Sequence, residues 1–513
     1  MNDSDSAHER GLMDMGRRDR LLSRREFMGV VGAGAGAMAL GGCTSGTPRA
    51  PHGHVRALPN FIIVFTDDQG YNDLGCFGSP DIRTPCIDRM AEEGMKFTDF
   101  YCAAPVCTPS RAALMTGCYA QRVSLAGPQI VLHPGSTTGL HPDEITIATL
   151  LKQRKYATAC IGKWHLGHLQ PFLPTRHGFD YYYGIPYSND MVPTPLMRNE
   201  EVIEQPAVQE TLTERYTEEA IRFIQVNKDR PFFLYLPHTM PHTPLHVSDR
   251  FSGRSAAGLY GDAVECIDWS TGEILKTLRT LGLDENTLLV YASDNGPWLA
   301  QGEHGGRATP LRAGKGTTYE GGQRVPCVMR WPGRIPAGSS CSEVTATMDM
   351  LPTIAALAEI EPPTDRIIDG HDIWPLMSGT TGTTSPYTAF FYYFFDNLQA
   401  VRSGKWKLVL ERIRAMEFPF RMNELEEPFR RVPEALYNLE DDIGEQRNVI
   451  EEHPEVADRL RGYIERMRDD LGDMPIPGLD SVAELRWRAD RIRPGKNRRP
   501  CGSVDVETRP ESA

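Results

Sequence analysis

Two nearly unbroken apolar runs frame the chain. Asn60-Phe-Ile-Ile-Val-Phe-Thr66 and Thr287-Leu-Leu-Val-Tyr-Ala292 lack the alternation of a half-exposed strand, and runs of this kind belong to parallel strands buried on both faces. The first ends in Asp67-Asp68-Gln69-Gly70, the second in Ser293-Asp294-Asn295-Gly296. Between them the periodicity switches back and forth, predicting helices over 85–94, 145–155 and 213–226 and strands over 95–100, 157–161 and 232–236. A further strand is expected at 325–329 and a helix at 350–357. This alternation predicts an α/β fold, a mostly parallel sheet sandwiched by helices. Both acidic pairs then sit at the carboxyl ends of strands, where open α/β sheets place their ligands.

Near Pro386 the pattern changes to short strand-like runs, 390–395, 398–402 and 406–410, followed by Tyr437-Asn438-Leu439 and a helix over about 454–470. A small antiparallel sheet with one packed helix is expected there. The chain divides accordingly into a main α/β domain, 60–385, a carboxy-terminal subdomain, 386–475, and a tail, 476–513, that is Arg- and Pro-rich without periodicity and expected to be loose.

At 513 residues the chain buries a large core. Its formal charge of −13 argues against nucleic acid as a partner and requires a local basic pocket for any anionic substrate. Eleven cysteines show neither paired C-x-x-C spacing nor the density of a small disulfide scaffold. At the amino terminus, Ser23-Arg24-Arg25-Glu26-Phe27-Met28 precedes a glycine-rich apolar run, 30–40, too short to span a membrane comfortably. It reads as a twin-arginine export signal. Leu40-Gly41-Gly42-Cys43 resembles a bacterial lipobox, which makes residues 1–42 a cleaved signal, Cys43 a lipidated terminus and 43–59 a tether. The expectation is a lipid-anchored protein of the periplasm or cell surface, with the twin-arginine translocase as partner.

Asp67, Asp68, Asp294 and Asn295 form a four-oxygen set without a soft ligand, which favours a hard cation, calcium ahead of magnesium. The run C-A-A-P-V-C-T-P-S-R-A-A-L-M-T-G from Cys102 to Gly117 predicts a short helix capped by Thr108, with Pro109 in its first position. Cys107 then lies at the positive helix end and Arg111 about one turn on, where an anion would settle. Cys107 reads as a buried structural cysteine or as a thiolate whose pKa the helix end and Arg111 lower. In Gly162-Lys163-Trp164-His165-Leu166-Gly167, an extended backbone would point Lys163 and His165 the same way. Two further histidines, His238 and His242, share one loop, and Lys315 lies in a glycine-rich loop, 301–323, that lacks phosphate-loop spacing.

C-T-P-S-R with A-A-L-M-T-G, G-K-W-H-L-G, H-T-P and G-K-G-T-T-Y-E-G-G together resemble the type I, formylglycine-dependent sulfatases, with arylsulfatase A and N-acetylgalactosamine-6-sulfatase types the most similar. The resemblance spans about 60–470. It implies an alkaline-phosphatase-like fold and hydrolysis of sulfate esters, on sulfated carbohydrates for an anchored, exported enzyme. It implies that a maturation enzyme oxidises Cys107 to formylglycine, whose hydrate offers one hydroxyl to attack sulfur and a second to expel sulfate. One calcium would be held by Asp67, Asp68, Asp294, Asn295 and the formylglycine at 107. By the same match Arg111 belongs to the catalytic set, Lys163 and Lys315 bind sulfate, His165 takes a proton from the hydrate, and His242 donates to the leaving oxygen. His238 is its neighbour in contention, and Ser188 and Asn189 face the substrate.

Two rivals remain open at this stage. One is a phosphonate monoester or phosphodiester hydrolase of the same superfold; the other is a surface protein that binds sulfated glycans without turning them over. The sugar and sulfate position depend on 188–209 and 298–312, which carry no physical signature of their own.

Overall fold

The two apolar runs lie side by side. In the computed structural model, which describes residues 58–127, 130–414, 430–473, 493–494 and 496–504, strand Asn60–Thr66 pairs in parallel with Thr287–Ser293, in register from Asn60 opposite Thr287 to Thr66 opposite Ser293. Both acidic pairs therefore leave the sheet at one level on adjacent strands. On the other side of Asn60–Thr66 follow Phe232–Pro237, Ala157–Ile161 and Tyr181–Gly184, all parallel. These five strands form the centre of a ten-stranded sheet whose flanks are mixed: Cys327–Arg330 runs antiparallel beside Thr287–Ser293, and the Leu196–Arg198 and Glu201–Glu204 hairpin closes the far edge.

Phe61, Ile63 and Phe65 enter one core and Ile62 and Val64 the other, so the strand is buried on both faces, as an unbroken apolar run requires. Helices Cys107–Thr116 and Met350–Leu357 pack on the first face, Leu212–Val226 and Gly258–Thr280 on the second. The last of these, 23 residues long, is absent from the periodicity reading. Its inner face mixes Tyr260, Val264, Ile267 and Ile274 with buried Asp262, Asp268, Ser270 and Thr271, which dilutes the apolar stripe. Asp268 accepts from the Cys86 and Ile87 amides and so supplies the cap of helix Pro85–Glu92.

After Pro386, strands Phe390–Phe394, Asn397–Ser403, Trp406–Val409 and Ala435–Asn438 form the expected antiparallel sheet, and helix Pro454–Leu471 packs on it. This subdomain shares a core with Tyr101, Ala113 and Tyr119 from the first half of the chain. The tail departs from its loose reading where it is described: Arg499 pairs with Glu144 at 2.7 and 2.9 Å, Arg498 with Asp396 at 2.7 Å, and Gly502–Ser503 pairs with Thr138–Gly139. Among the described residues no helix is long and apolar enough to cross a membrane. The export signal, Cys43 and nearly all of the tether lie outside them.

Candidate active site

The carboxyl ends of the five parallel strands deliver the chemistry. Asp67 and Asp68 follow Thr66, Asp294 and Asn295 follow Ser293, Lys163 and His165 follow Ile161, the histidine loop follows Pro237, and Ser188 and Asn189 follow Gly184. Helix Cys107–Thr116 brings in Cys107 as its first residue, with Val106 as its extended N-cap. Thr108 is therefore not the cap. Its hydroxyl donates to His165 O at 3.0 Å and accepts from the Leu132 amide at 3.2 Å, tying three segments together. Pro109 sits third in the helix, where its missing N–H is still one of the four without an intrahelical partner.

Arg111 is fully buried, and the anion it meets belongs to the protein. Its Nε and one terminal nitrogen donate to Asp294 Oδ2 at 3.0 and 2.8 Å, and that nitrogen lies 3.5 Å from Asp67 Oδ2. The other terminal nitrogen donates to Lys163 O at 3.1 Å. Arg111 thus fixes two carboxylates and a lysine backbone. Burial pushes the Cys107 thiol up to about 11 in spite of Lys163 and Lys315 nearby. The thiolate reading fails here: desolvation outweighs the helix end and the cations, leaving a protonated thiol at neutral pH.

Around Cys107 stand three acids and three bases. Lys163 Nζ donates to Asp67 Oδ2 and, at 3.2 Å, to Ser188 Oγ. Lys315 Nζ donates to Asp68 Oδ2 at 2.7 Å. Burial would raise the Asp67 carboxyl, but Lys163, Arg111, His242 and Lys315 together hold it far below its ordinary value. Asp294 is pushed up to about 7 by burial and by Asp67, against the pull of Arg111. Asn295 Nδ2 donates to Asp68 Oδ1 at 2.7 Å, and the Asp68 amide donates to Asp294 Oδ1 at 3.1 Å. Asp67 Oδ1 and Asn295 Oδ1 are buried acceptors without a hydrogen-bond partner, and one ligand atom each of Asp67, Cys107 and Asp294 lie within 4.8 Å of one another. Unpartnered oxygens facing a carboxylate cluster fit a hard cation.

His165 and Lys163 do not project together. His165 takes a left-handed backbone, φ 62°, which turns its ring to Leu132 O, 2.8 Å from Nε2. A carbonyl partner assigns the hydrogen to Nε2 and leaves Nδ1 as a bare lone pair, buried and without a partner. Burial, with Lys163 and Arg111 close by, holds this imidazole neutral well below its usual pKa. Asp68 shares the left-handed geometry at φ 62°; such strain concentrates at functional sites.

The two loop histidines separate cleanly. His242 Nε2 lies 3.6 Å from Asp68 Oδ2, whereas His238 is buried against Tyr216 with Nε2 3.3 Å from Ser270 Oγ, on the helix side of the sheet. Burial pushes His238 down to about 3. His242 is the histidine of the cluster.

A family model described as Sulfatase matches residues 59–360, and one described as N-sulphoglucosamine sulphohydrolase, C-terminal, matches 313–470. The chain belongs to the sulfatase family. It is 42% identical to canine N-acetylgalactosamine-6-sulfatase over 373 residues, covering 68% of this chain and 71% of that one. To human arylsulfatase A it is 40% identical over 381 residues, covering 68% and 74%. Among solved structures, Ps i-CgsB in complex with k-i-k-neocarrahexaose superposes with a TM-score of 0.71 at 31% identity, covering 84% of this chain and 97% of that one. The fold is alkaline-phosphatase-like, and the protein is a sulfuric ester hydrolase.

In this sulfatase, Asn189 and Trp298 both lie against His242. Asn189 faces His242: its Oδ1 lies 3.1 Å from His242 Nδ1, which also meets Thr243 O at 2.6 Å. With two oxygen acceptors, Nδ1 carries the hydrogen, and Nε2 is the atom turned to the cluster. Asn189 is itself fixed, donating to Pro244 O at 2.9 Å and Gln209 Oε1 at 3.1 Å. Trp298 opens the 298–312 loop, to which the sequence assigns no individual role. Its ring lies under Lys315 Nζ at 4.5 Å and 5.6 Å from the His242 ring; an isolated tryptophan three residues beyond Asn295 was the available signal. Close backbone approach seats the Lys315 loop here, since a Cβ on Gly296 would stand 1.8 Å from Gly321 O.

Proposed function

We propose that the protein hydrolyses sulfate esters of carbohydrates with Cys107 converted to formylglycine and one calcium ion held by Asp67, Asp68, Asp294, Asn295 and the residue at 107. The observation that carries this reading is Cys107, buried at a helix start inside an oxygen-ligand cluster that keeps unpartnered acceptors. The aldehyde hydrate supplies a nucleophilic hydroxyl and a second one that permits release of sulfate. The ion, when bound, supplies Lewis-acid polarisation of the sulfate.

The chain's own side chains do the rest. Lys163 and Lys315 hold the sulfate oxygens and offset the charge that grows in the transition state. Arg111 acts through Asp294 and Asp67, keeping both carboxylates aimed at one point. His165 Nδ1 accepts a proton from the residue at 107, its tautomer set by Leu132 O. His242 donates from Nε2 to the departing alcohol oxygen, held in that pose by Asn189. Support for a carbohydrate comes from the names of the relatives, an N-acetylgalactosamine-6-sulfatase and an enzyme solved with a neocarrahexaose.

The twin-arginine pattern at Arg24-Arg25 and the lipobox-like Leu40-Gly41-Gly42-Cys43 support a mature enzyme outside the cytoplasm, exported folded by the twin-arginine translocase and anchored through Cys43. Formylglycine formation by a maturation enzyme then precedes export. Protein co-expressed with such an enzyme should cleave sulfated monosaccharides and 4-nitrophenyl sulfate far faster than aryl phosphodiesters, and protein made without it should be nearly inert. Equal turnover of phosphodiester and sulfate would refute the assignment.

A further inference from the structure

His242 and Lys315 are 3% and 9% exposed, while Trp298, which touches both, is only half-buried. Its neighbour Leu299 is 40% exposed. Trp298 and Leu299 thus form an apolar lip at the boundary between solvent and the buried charged cluster. A sulfate ester presents the matching contrast, an anionic head on a ring that has C–H or aromatic faces.

We propose that Trp298 is a specificity-determining residue, the platform on which the ring of the departing alcohol rests. The inference depends on His242 being the group that meets the leaving oxygen. An alcohol whose oxygen reaches His242 Nε2 places its ring carbons within a few ångströms of that imidazole, and the Trp298 ring centroid is 5.6 Å away, tilted by 48°. Lys315 lies against the tryptophan with Nζ 4.5 Å from the ring centroid, a cation–π contact that holds the indole in place before substrate arrives. Tryptophan suits the task because a large, rigid amphipathic face gives contact area at little entropic cost.

The test compares Trp298→Ala and Trp298→Phe with the unsubstituted, matured enzyme on N-acetylgalactosamine 6-sulfate, galactose 6-sulfate and 4-nitrophenyl sulfate, and with inorganic sulfate as competitive inhibitor. Trp298→Ala should lower kcat/KM for the ring-bearing esters by roughly 10- to 100-fold, and Trp298→Phe by about fivefold or less. The inhibition constant for inorganic sulfate should stay within about twofold, because the sulfate pocket is intact. A parallel weakening of inorganic sulfate would show that Trp298 merely positions Lys315, and unchanged kcat/KM in folded Trp298→Ala would show that the ring is not contacted; either overturns the inference. If Trp298→Ala misfolds by circular dichroism, Trp298→Leu takes its place in the same comparison. Failure of the unsubstituted enzyme on every sulfate ester would instead sink the functional reading beneath it.

Discussion

Two buried clusters in this protein share one charge balance, three acids facing three cations, and have opposite characters. Asp67, Asp68 and Asp294 face Arg111, Lys163 and Lys315 at the sheet edge. Asp99, Glu320 and Glu445 face Arg324, Arg402 and Lys407 between the main sheet and the carboxy-terminal sheet. In the second cluster Glu320 is saturated: Lys407 and Tyr392 each donate to Oε1 at 2.9 Å, and Tyr101 and Arg324 donate to Oε2. Burial would raise its carboxyl, but Lys407, Arg402 and Arg324 bring it down to about 2. In the first cluster Asp67 Oδ1, Asn295 Oδ1 and His165 Nδ1 have no partner. In the second cluster Glu445 Oε1 also lacks a hydrogen bond but still lies 2.8 Å from Lys407 Nζ; what separates the working site is therefore not charge balance but three partnerless atoms gathered around one helix start. The G-K-G-T-T-Y-E-G-G loop serves both clusters, sending Lys315 to one and Glu320, five residues on, to the other.

The comparison can be broken from either side. Cys107→Ala removes the one group through which the first cluster reacts, and sulfate-ester turnover by matured protein should fall by roughly 10⁵-fold or more while the melting temperature holds. Asp67→Asn should cost about 10³-fold in turnover together with loss of bound divalent ion, read by elemental analysis. Glu320→Gln should do the reverse. Stripping one charge from a satisfied buried network costs about 3–5 kcal/mol of stability in a denaturant melt, with kcat of the remaining folded enzyme nearly unchanged. The smallest effect belongs to Asn189→Ala, about 10-fold in kcat on a sugar sulfate and less on 4-nitrophenyl sulfate, because a mis-set His242 matters most for a poor leaving group. Equal losses on both esters would remove Asn189 from the proton path.

Much of this was legible in the sequence, and what was not has physical causes. Strands Asn60–Thr66 and Ala157–Ile161 and helix Met350–Leu357 fall where their apolar patterns place them, because burial on both faces leaves an unambiguous trace. Helix Gly258–Thr280 was hidden by the buried aspartates that serve its neighbours. Arg111 reaches Asp294, 183 residues on, and Arg324 reaches Asp99, 225 residues back, separations that no local spacing can reveal. The tautomer of His165 follows from Leu132 O of another loop, and that of His242 from Asn189 Oδ1 of another loop together with Thr243 O beside it.

The most direct measurement is the mass of the proteolytic peptide containing position 107, taken from enzyme whose turnover has been measured on the same sample. Activity should rise in proportion to the fraction of that peptide carrying an aldehyde in place of the thiol. Full activity in a sample whose Cys107 is an unmodified thiol would contradict the account.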